Sequence, residues 1–402
     1  MEKIEVAIIG GGASGLFLAN ALADGKRAVV FERGERVGRK LSATGNGQGN
    51  ITNLAADTTE YFCVDERSKE KIAQIIRAAD QKRLTAEFRA LGVLLQADER
   101  GRVYPAGKQA SALTDALRFS LAQKGVETRL NARIVHVEKS DGGFVLTAEV
   151  GTEKKIERVF AQSVVLCAGG KAAKNFGTDG SAYALAKNFG HTVTPLYPSL
   201  VQLKTETAYT KTLKGIRVAD GGLTAIAGRE RLALRGDIIF TDYGVSGDAT
   251  FRISAFVADK LEAGVTLSID FLPDVSEREI LAMMERKRAA FPALGDGELL
   301  FGILNNQVGR AVMKRADGRM EGAAKLVKDF RLPVTGNLGF DYAQVTKGGI
   351  PLAETDDGLQ SRLVPGLYFA GEILDVDGPC GGFNLQWAYA SAARVASVIN
   401  EK

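Results

Sequence analysis

Cysteine, histidine and proline are scarce in this chain, at 3, 2 and 9 of 402 residues. Cys63, Cys167 and Cys380 stand far apart and form no CxxC pair, which excludes a disulfide framework and a zinc ribbon. With only His136 and His191 present, a histidine-rich metal site is excluded too, and no metal is expected. An excess of one charge sign is also missing. Against 52 Lys and Arg stand 48 Asp and Glu, a net of +4, and the charges alternate as in Glu285-Arg286-Lys287-Arg288. Composition therefore gives no push toward a nucleic-acid or membrane partner, and a small-molecule substrate is expected. The longest uncharged run, Val6 to Ala23, is broken by four glycines, a serine and an asparagine and makes a poor membrane span. Met1-Glu2-Lys3-Ile4-Glu5 carries two acids where a signal peptide is basic, so a reduced, soluble, cytoplasmic protein is expected.

Glycine, in contrast, is abundant. There are 46, and many cluster after apolar runs: Gly10 to Gly12, Gly169-Gly170, Gly348-Gly349, Gly381-Gly382. Clusters of that kind mark backbone that must come close to something. Val6-Ala7-Ile8-Ile9 reads as a buried parallel strand, followed by a glycine turn and a helical stretch ended by Gly25. A second apolar run, Ala28-Val29-Val30-Phe31, closes on Glu32, completing a βαβ unit. The pattern then predicts a long polar loop from Gly34 to Asn53, helical stretches over Ser68–Leu91 and Ala110–Lys124, and strands across 126–170. From Pro195 short β-branched runs and turn signals point to a small β-domain. Ser276-Glu277-Arg278-Glu279 is a capping box opening helical segments, the second of them from Glu298 to Met313. Leu367-Tyr368-Phe369 is a buried strand, and a final helix is predicted from Asn384 to Ile399. The simplest layout is one α/β domain, 1–193 with 345–402, interrupted by an insert over 194–344.

Gly10-x-Gly12-x-x-Gly15 follows a strand and opens a helix. The glycines allow the tight turn, the approach of a pyrophosphate and close helix–strand packing, and the free N–H groups of the helix face the phosphates. Gly10, Gly12, Ala13, Ser14 and Gly15 are therefore candidate cofactor contacts. Glu32, with Arg33 beside it, sits where a carboxylate accepts from ribose hydroxyls. Two further glycine-ended strands, Val164 to Ala168-Gly169 and Leu367 to Gly371-Glu372, argue for FAD rather than a plain nicotinamide cofactor, with Glu372 placed for a ribitol hydroxyl.

The segment Gly38-Arg39-Lys40-Leu41-Ser42-Ala43-Thr44-Gly45-Asn46-Gly47-Gln48-Gly49-Asn50-Ile51-Thr52-Asn53 resembles the loop of the BaiN-like, aminoacetone-oxidase-type NAD(P)/FAD-dependent flavoproteins, and so does Asp375 to Ala388 with its Gly-Pro-Cys-Gly-Gly-Phe-Asn-Leu-Gln-Trp run. Gly236 to Gly247 and Thr346-Lys347-Gly348-Gly349-Ile350 are similar to the family's other signatures. The resemblance implies an α/β fold. It comprises a Rossmann-like FAD-binding domain of glutathione-reductase type, an inserted β-barrel-like domain (β-rich over 194–273 and 333–344) and a small helical subdomain over 274–332. It further implies an oxidoreductase holding FAD non-covalently. Gly382, Phe383, Asn384 and Leu385 would then start a helix aimed at the flavin pyrimidine edge, and Ile134 would pair with adenine. One departure stands out: the family commonly reads Gly-Arg-Cys-Asn where this chain has Gly47-Gln48-Gly49-Asn50, so the arginine and cysteine are absent.

Arg39 and Lys40 are candidates for the FAD phosphates or a substrate carboxylate, and Gly45, Asn46, Gly47, Asn50, Thr52 and Asn53 for hydrogen bonds to the cofactor. For catalysis the residues name no clear acid or base; Cys380 and Tyr243, the latter next to Asp242, are the weak candidates. Gly101 to Lys108 is a near miss for a phosphate loop, and Gly244-Val245-Ser246-Gly247 lacks the nucleophile-elbow spacing. No second GxGxxG is present, so NAD(P)H would serve only as a transient donor. The expected reaction is hydride transfer between a small organic substrate and flavin N5. The alternatives are an NAD(P)H-driven reductase of an unsaturated small molecule and a flavin-bound redox sensor that binds a partner.

Overall fold

The computed structural model describes residues 1–56 and 60–402. It comprises two compact units, Met1–Tyr197 with Val345–Lys402, and Pro198–Gln344.

The first unit is built on a seven-stranded sheet. Strand Glu2–Ile9 runs parallel to Ala28–Phe31 on one side and to Lys155–Leu166 on the other. Leu367–Phe369 runs parallel to the end of Lys155–Leu166, and Glu127–Arg129 lies beside Ala28–Phe31. Ile9 pairs with both Phe31 and Leu166, and Leu166 with Phe369, so four strands end at one level. Their apolar runs lack polar alternation because these strands are buried on both faces. An antiparallel hairpin, Ala132–Ser140 and Gly143–Val150, extends the sheet from Lys155–Leu166. Helices Ala13–Ala21 and Phe383–Asn400 pack on each other, with Phe17 meeting Tyr389 edge-on at 5.4 Å and Phe88 at 6.1 Å.

The stretch predicted as one helix over Ser68–Leu91 is two, Lys69–Ala78 and Gln81–Ala90. Asp80 makes the break by capping the second, its carboxylate accepting from Arg83 N–H at 2.9 Å. Where the chain leaves this unit and later returns, Thr194 and Gly349 exchange hydrogen bonds: Thr194 N–H donates to Gly349 O and Gly349 N–H to Thr194 Oγ1, both at 2.9 Å. Nearby, the fully buried His191 ring bridges Glu354 and Ser361, 2.7 Å from each.

The second unit is a closed six-stranded barrel in the order Leu203–Thr205, Gly244–Ser246, Glu230–Phe240, Arg217–Ala227, Val265–Asp270, Phe330–Asn337, the last pairing back onto the first. The two-residue period puts Leu223, Ala225, Ile238, Phe240, Leu267, Ile269, Phe330 and Leu332 inside. Helices Glu277–Ala290, Asn306–Arg315 and Met320–Lys328 belong to the same apolar core. Ser276 caps the first as predicted, accepting from Glu279 N–H at 3.2 Å. The helical segment expected from Glu298 begins only at Asn306, where Asn305 supplies the cap. The last strand starts at Phe330, inside the stretch expected to be helical, because Phe330 packs against Phe271 at 5.5 Å. Among the described residues no helix is long and apolar enough to cross a membrane.

Candidate functional site

Three glycine turns converge at the common level of the strand ends. Gly10 has φ +108°, and a Cβ there would fall 2.7 Å from Ala168 Cα and Cys167 O. A Cβ on Gly15 would sit 1.9 Å from Gly10 O, whereas one on Gly12 would meet nothing within 4 Å. The turn is thus pressed against its own fold at Gly10 and Gly15 and open at Gly12, the position through which a pyrophosphate approaches. Helix Ala13–Ala21 starts there, and Ser14 Oγ donates to Cys167 O at 3.4 Å. The third turn closes on the same residue: Gly371 has φ +80°, and its Cβ would meet Ser14 Oγ at 2.6 Å. Ser391 Oγ and Trp387 Nε1 of the C-terminal helix hold the Gly371 N–H and C=O, at 2.9 and 3.2 Å.

Glu32 ends its strand with both carboxylate oxygens in use, accepting from Gly11 N–H at 2.9 Å and Gly34 N–H at 2.7 Å. Its carbonyl accepts from Ala132 N–H at 2.9 Å, which brings the hairpin strand carrying buried Ile134 alongside. Arg33 pairs with Asp179 at 2.7 Å. Burial pushes the Asp179 carboxyl up, but hydrogen bonds from Arg33 and Ser181 and the Arg33 charge outweigh that and hold it at about 2. The loop carrying Asp179 folds beside the second glycine turn: Gly180 N–H donates to Gly170 O at 3.0 Å, and Thr178 Oγ1 donates to Ala172 O. Thr178, Asp179 and Gly180 therefore belong to the site, and the sequence reading missed them. Their Asp-Gly turn was readable, but its pairing with Arg33, 146 residues away, was not.

Arg39 and Lys40 both reach the segment that follows the second glycine turn, at Asn175 O and Ala172 O. Arg39 donates to Asn175 O at 2.8 Å, and Lys40 Nζ lies 2.8 Å from Glu372 Oε2. Glu372 also accepts Thr346 N–H at 2.9 Å, so its carboxylate is fixed and charge-balanced.

The polar loop takes left-handed backbone at Gly45, Asn46, Gly47 and Gly49. Gly49, where the resembling family carries cysteine, has φ +83°, and a Cβ would fall 2.9 Å from Ala110 Cα. This backbone has no room for a cysteine. Asn50 Nδ2 donates to Thr52 O at 3.0 Å and Val103 O at 3.2 Å, folding the loop end. Thr52 and Asn53 dock it on the C-terminal helix: Thr52 Oγ1 donates to Gln386 Oε1 at 2.6 Å, and Asn53 Nδ2 to Gly381 O at 3.0 Å. Gly382 lies so close to Thr52 that a Cβ would meet its carbonyl oxygen at 2.3 Å. Asn384 closes the preceding loop on itself, accepting from Gly378 N–H at 2.9 Å and donating to Gly378 O at 2.7 Å. Phe383 O accepts from Tyr61 OH at 3.0 Å, and Leu385 is half-buried. Buried Gln386 and Tyr61 were not among the expected residues.

Cys380 lies half-buried in this loop. Burial pushes the Cys63 and Cys167 thiols up to about 12, which leaves neither as a thiolate at neutral pH. Tyr243 belongs to the barrel unit, its carbonyl accepting Thr205 N–H at 3.0 Å, and Asp242 is paired with Lys214 at 2.7 Å. Two buried oxygens near Glu372 have no hydrogen-bond partner among the described residues, Tyr183 OH and Asp375 Oδ1. The open face at Gly12 and the carboxylates of Glu32 and Glu372 fit an extended dinucleotide.

The HI0933-like protein Rossmann domain family matches residues 4–398. The chain is 35% identical to a 3-dehydro-bile acid delta(4,6)-reductase of Clostridium scindens, over 96% of each chain. It is 29% identical to a ribosomal RNA dihydrouridine synthase of Escherichia coli, over 98% of this chain and 97% of that one. Among solved structures, a 3-ketosteroid-delta4-(5alpha)-dehydrogenase from Rhodococcus jostii RHA1 has a similar fold, with TM-score 0.55 and 15% identity over 100% of this chain and 97% of that one. A flavocytochrome c3 fumarate reductase has TM-score 0.52 and 15% identity over 100% of this chain and 78% of that one.

Proposed function

Because this chain belongs to the HI0933-like Rossmann family and is an FAD-dependent oxidoreductase, we propose that it reduces a ring carbon–carbon double bond conjugated to a carbonyl in a small organic molecule, with NADH or NADPH as transient donor. The observation that carries this reading is the near-full-length identity to a relative whose name denotes reduction of ring double bonds in an oxo compound. The chemistry FAD supplies when bound is two-electron hydride exchange at N5. The chain's own residues would do the rest. The turn at Gly12 and the free N–H groups of helix Ala13–Ala21 would receive the pyrophosphate, Glu32 would accept from the ribose, and Glu372, charge-balanced by Lys40, would accept from the ribitol. The start of helix Phe383–Asn400, with Gly382, Asn384 and Leu385, would put partial positive charge at the pyrimidine edge, where negative charge would develop on reduction.

A second reading has support of its own: two relatives, at 29% and 26% identity, are named ribosomal RNA dihydrouridine synthases. The uracil ring also carries a double bond conjugated to a carbonyl, so the same chemistry would serve with an RNA substrate, against the expectation drawn from composition. One experiment tests both. The flavin is reduced anaerobically with NADH or NADPH, then challenged with a 3-oxo-4,6-diene steroid acid, with uridine or with ribosomal RNA, while the return of its visible absorbance is followed. Rapid reoxidation by the steroid supports the first reading, and reoxidation by RNA alone supports the second. Reoxidation by none of the three sinks both.

A further inference from the structure

Strand Arg102–Pro105 runs antiparallel to Thr52–Asn53, with Arg102 opposite Asn53. Asn53 Nδ2 donates to Gly381 O at 3.0 Å, which ties these strands to the glycine turn that opens helix Phe383–Asn400. Gly381 has φ +116°, and a Cβ there would lie 3.7 and 3.8 Å from Arg102 Cγ and Cδ. The aliphatic stem of Arg102 therefore rests beside the turn, where a side chain at position 381 would cover it. Asp98 fixes the guanidinium: Arg102 Nε and Nη2 lie 2.8 and 2.7 Å from Asp98 Oδ2, and Oδ1 accepts the Arg102 N–H at 2.9 Å. Thr52, Asn53 and Gln386 are buried here, whereas the Arg102 side chain is 35% exposed and open to a ligand. Two large apolar side chains are exposed in the adjoining segments. Leu54, whose N–H donates to Gly101 O at 2.8 Å, is 56% exposed, and Phe62, which exchanges backbone hydrogen bonds with Asp377, is 48% exposed.

The reaction read above puts charge on its substrate. When a hydride adds at the far end of a double bond conjugated to a carbonyl, the electron pair of that bond shifts toward the carbonyl oxygen and leaves an enolate. A proton from water at carbon then gives the saturated product. The two electrons originate in NADH or NADPH, which ends as the oxidised nucleotide. An enolate oxygen is stabilised by a cation or N–H donors already aimed at it before the charge develops. Gln48 brings no charge to the polar loop, and Lys40 is committed to Glu372. We propose that Arg102 is the catalytic cation of this enzyme: its guanidinium binds the substrate carbonyl oxygen and stabilises the charge that develops there, while Leu54 and Phe62 cover the apolar body. This rests on the proposed reaction and names the group that meets the carbonyl, whether of an oxo steroid acid or of a uracil ring. Arginine suits the task because its planar fork carries five N–H donors, of which Asp98 engages those on Nε and Nη2. Its proton is not given up in the working pH range, so it acts as an electrostatic partner and leaves proton delivery to water.

The test separates the two half-reactions of the holoprotein by anaerobic stopped flow, with flavin content and circular dichroism as folding checks. R102L is expected to keep its FAD and to be reduced by NADH or NADPH at the wild-type rate. Its reoxidation by the 3-oxo-4,6-diene steroid acid is expected to be about 100-fold slower, the usual cost of a lost oxyanion donor. Reoxidation by dioxygen, which has no carbonyl, is expected to match wild type. R102K, which keeps the charge without the fork, is expected to recover about 10-fold of the loss and serves as the test if R102L does not fold. Where ribosomal RNA rather than the steroid reoxidises wild type, the same differences are expected with RNA. Variants reoxidised by the carbonyl acceptor at the wild-type rate overturn the proposal and leave the reaction standing. Equal slowing with dioxygen marks a structural role and overturns it as well. Wild type that accepts electrons from the nucleotide but passes them to no carbonyl acceptor overturns the reaction and the proposal together.

Discussion

In the barrel unit the buried polar side chains are all hydroxyls, Ser199, Thr205, Thr210, Thr250 and Ser254. In the sheet unit they include the carboxyls of Asp375 and Asp377, the carboxamides of Asn50, Asn53, Gln81 and Gln386, and the imidazole of His191. Most barrel hydroxyls are served locally: Thr250 Oγ1 donates to Ser246 O at 2.8 Å and Ser254 Oγ to Phe251 O at 2.7 Å, four and three residues back, although Ser254 Oγ also accepts Val201 N–H at 2.9 Å and Ser199 Oγ has no partner among the described residues. The sheet unit's groups reach across the chain, Thr52 to Gln386 and Gln386 on to Ala79 O, both at 2.6 Å. Local hydroxyl bonds cost little to satisfy and specify little. Long-range bonds between buried amides and carboxyls demand one arrangement, the demand a ligand site makes of its walls. The barrel is a packing solution, and the sheet unit is a positioning one.

Substitutions on the two sides sharpen that contrast. The largest effect is expected for Gly15→Val, whose side chain would have to enter the space held by Gly10 O; the purified protein should carry no flavin, read as the flavin-to-protein ratio. Next is Phe330→Ala in the barrel, where removing a fully buried ring costs about 3–5 kcal/mol by denaturant unfolding. Flavin content of the folded fraction should not change, and a parallel loss of flavin would break the contrast. A smaller, pH-dependent effect is expected for Asp179→Asn. The Asp179 carboxyl is held at about 2 against an ordinary 3.8, so the stability of its pair with Arg33 is present above the ordinary value and is lost as pH falls through that window. Acid unfolding midpoints should show a shallower dependence in the variant. The smallest is Ser276→Ala, the loss of one exposed helix cap, about 1 kcal/mol with no change in flavin.

The same contrast decides what was readable in the sequence. Gly10, Gly12, Gly15 and Glu32 are legible because their spacing is set by one local turn and one strand. The barrel strands are legible from their two-residue period. Helix Phe383–Asn400 and strand Leu367–Phe369 stand out for similar reasons, as long or uninterrupted apolar runs. Lys40 and Arg39 were visible as charges, but their partners Glu372 and Asn175 lie 332 and 136 residues away, and no local pattern encodes such a pairing. Tyr183 and Asp375 were hidden more deeply. A single phenol on the short helix Ala182–Lys187 and a single carboxyl in a loop look like solvated groups until packing removes their water. The break at Asp80 and the early start of the strand at Phe330 were lost for the opposite reason: a cap and an aromatic contact override the helical propensity around them.

Thr194 and Gly349 carry one more consequence. Their mutual bonds draw together the points where the backbone departs from the sheet unit and rejoins it, so the host fold experiences the whole intervening barrel as a detour between adjacent residues. The entropy of closing such a detour grows only logarithmically with its length, about 0.6 kcal/mol for each doubling. A doorway of this kind accepts guests of very different size at nearly equal penalty. It is the natural seam along which a foreign module would be grafted or a short linker spliced in.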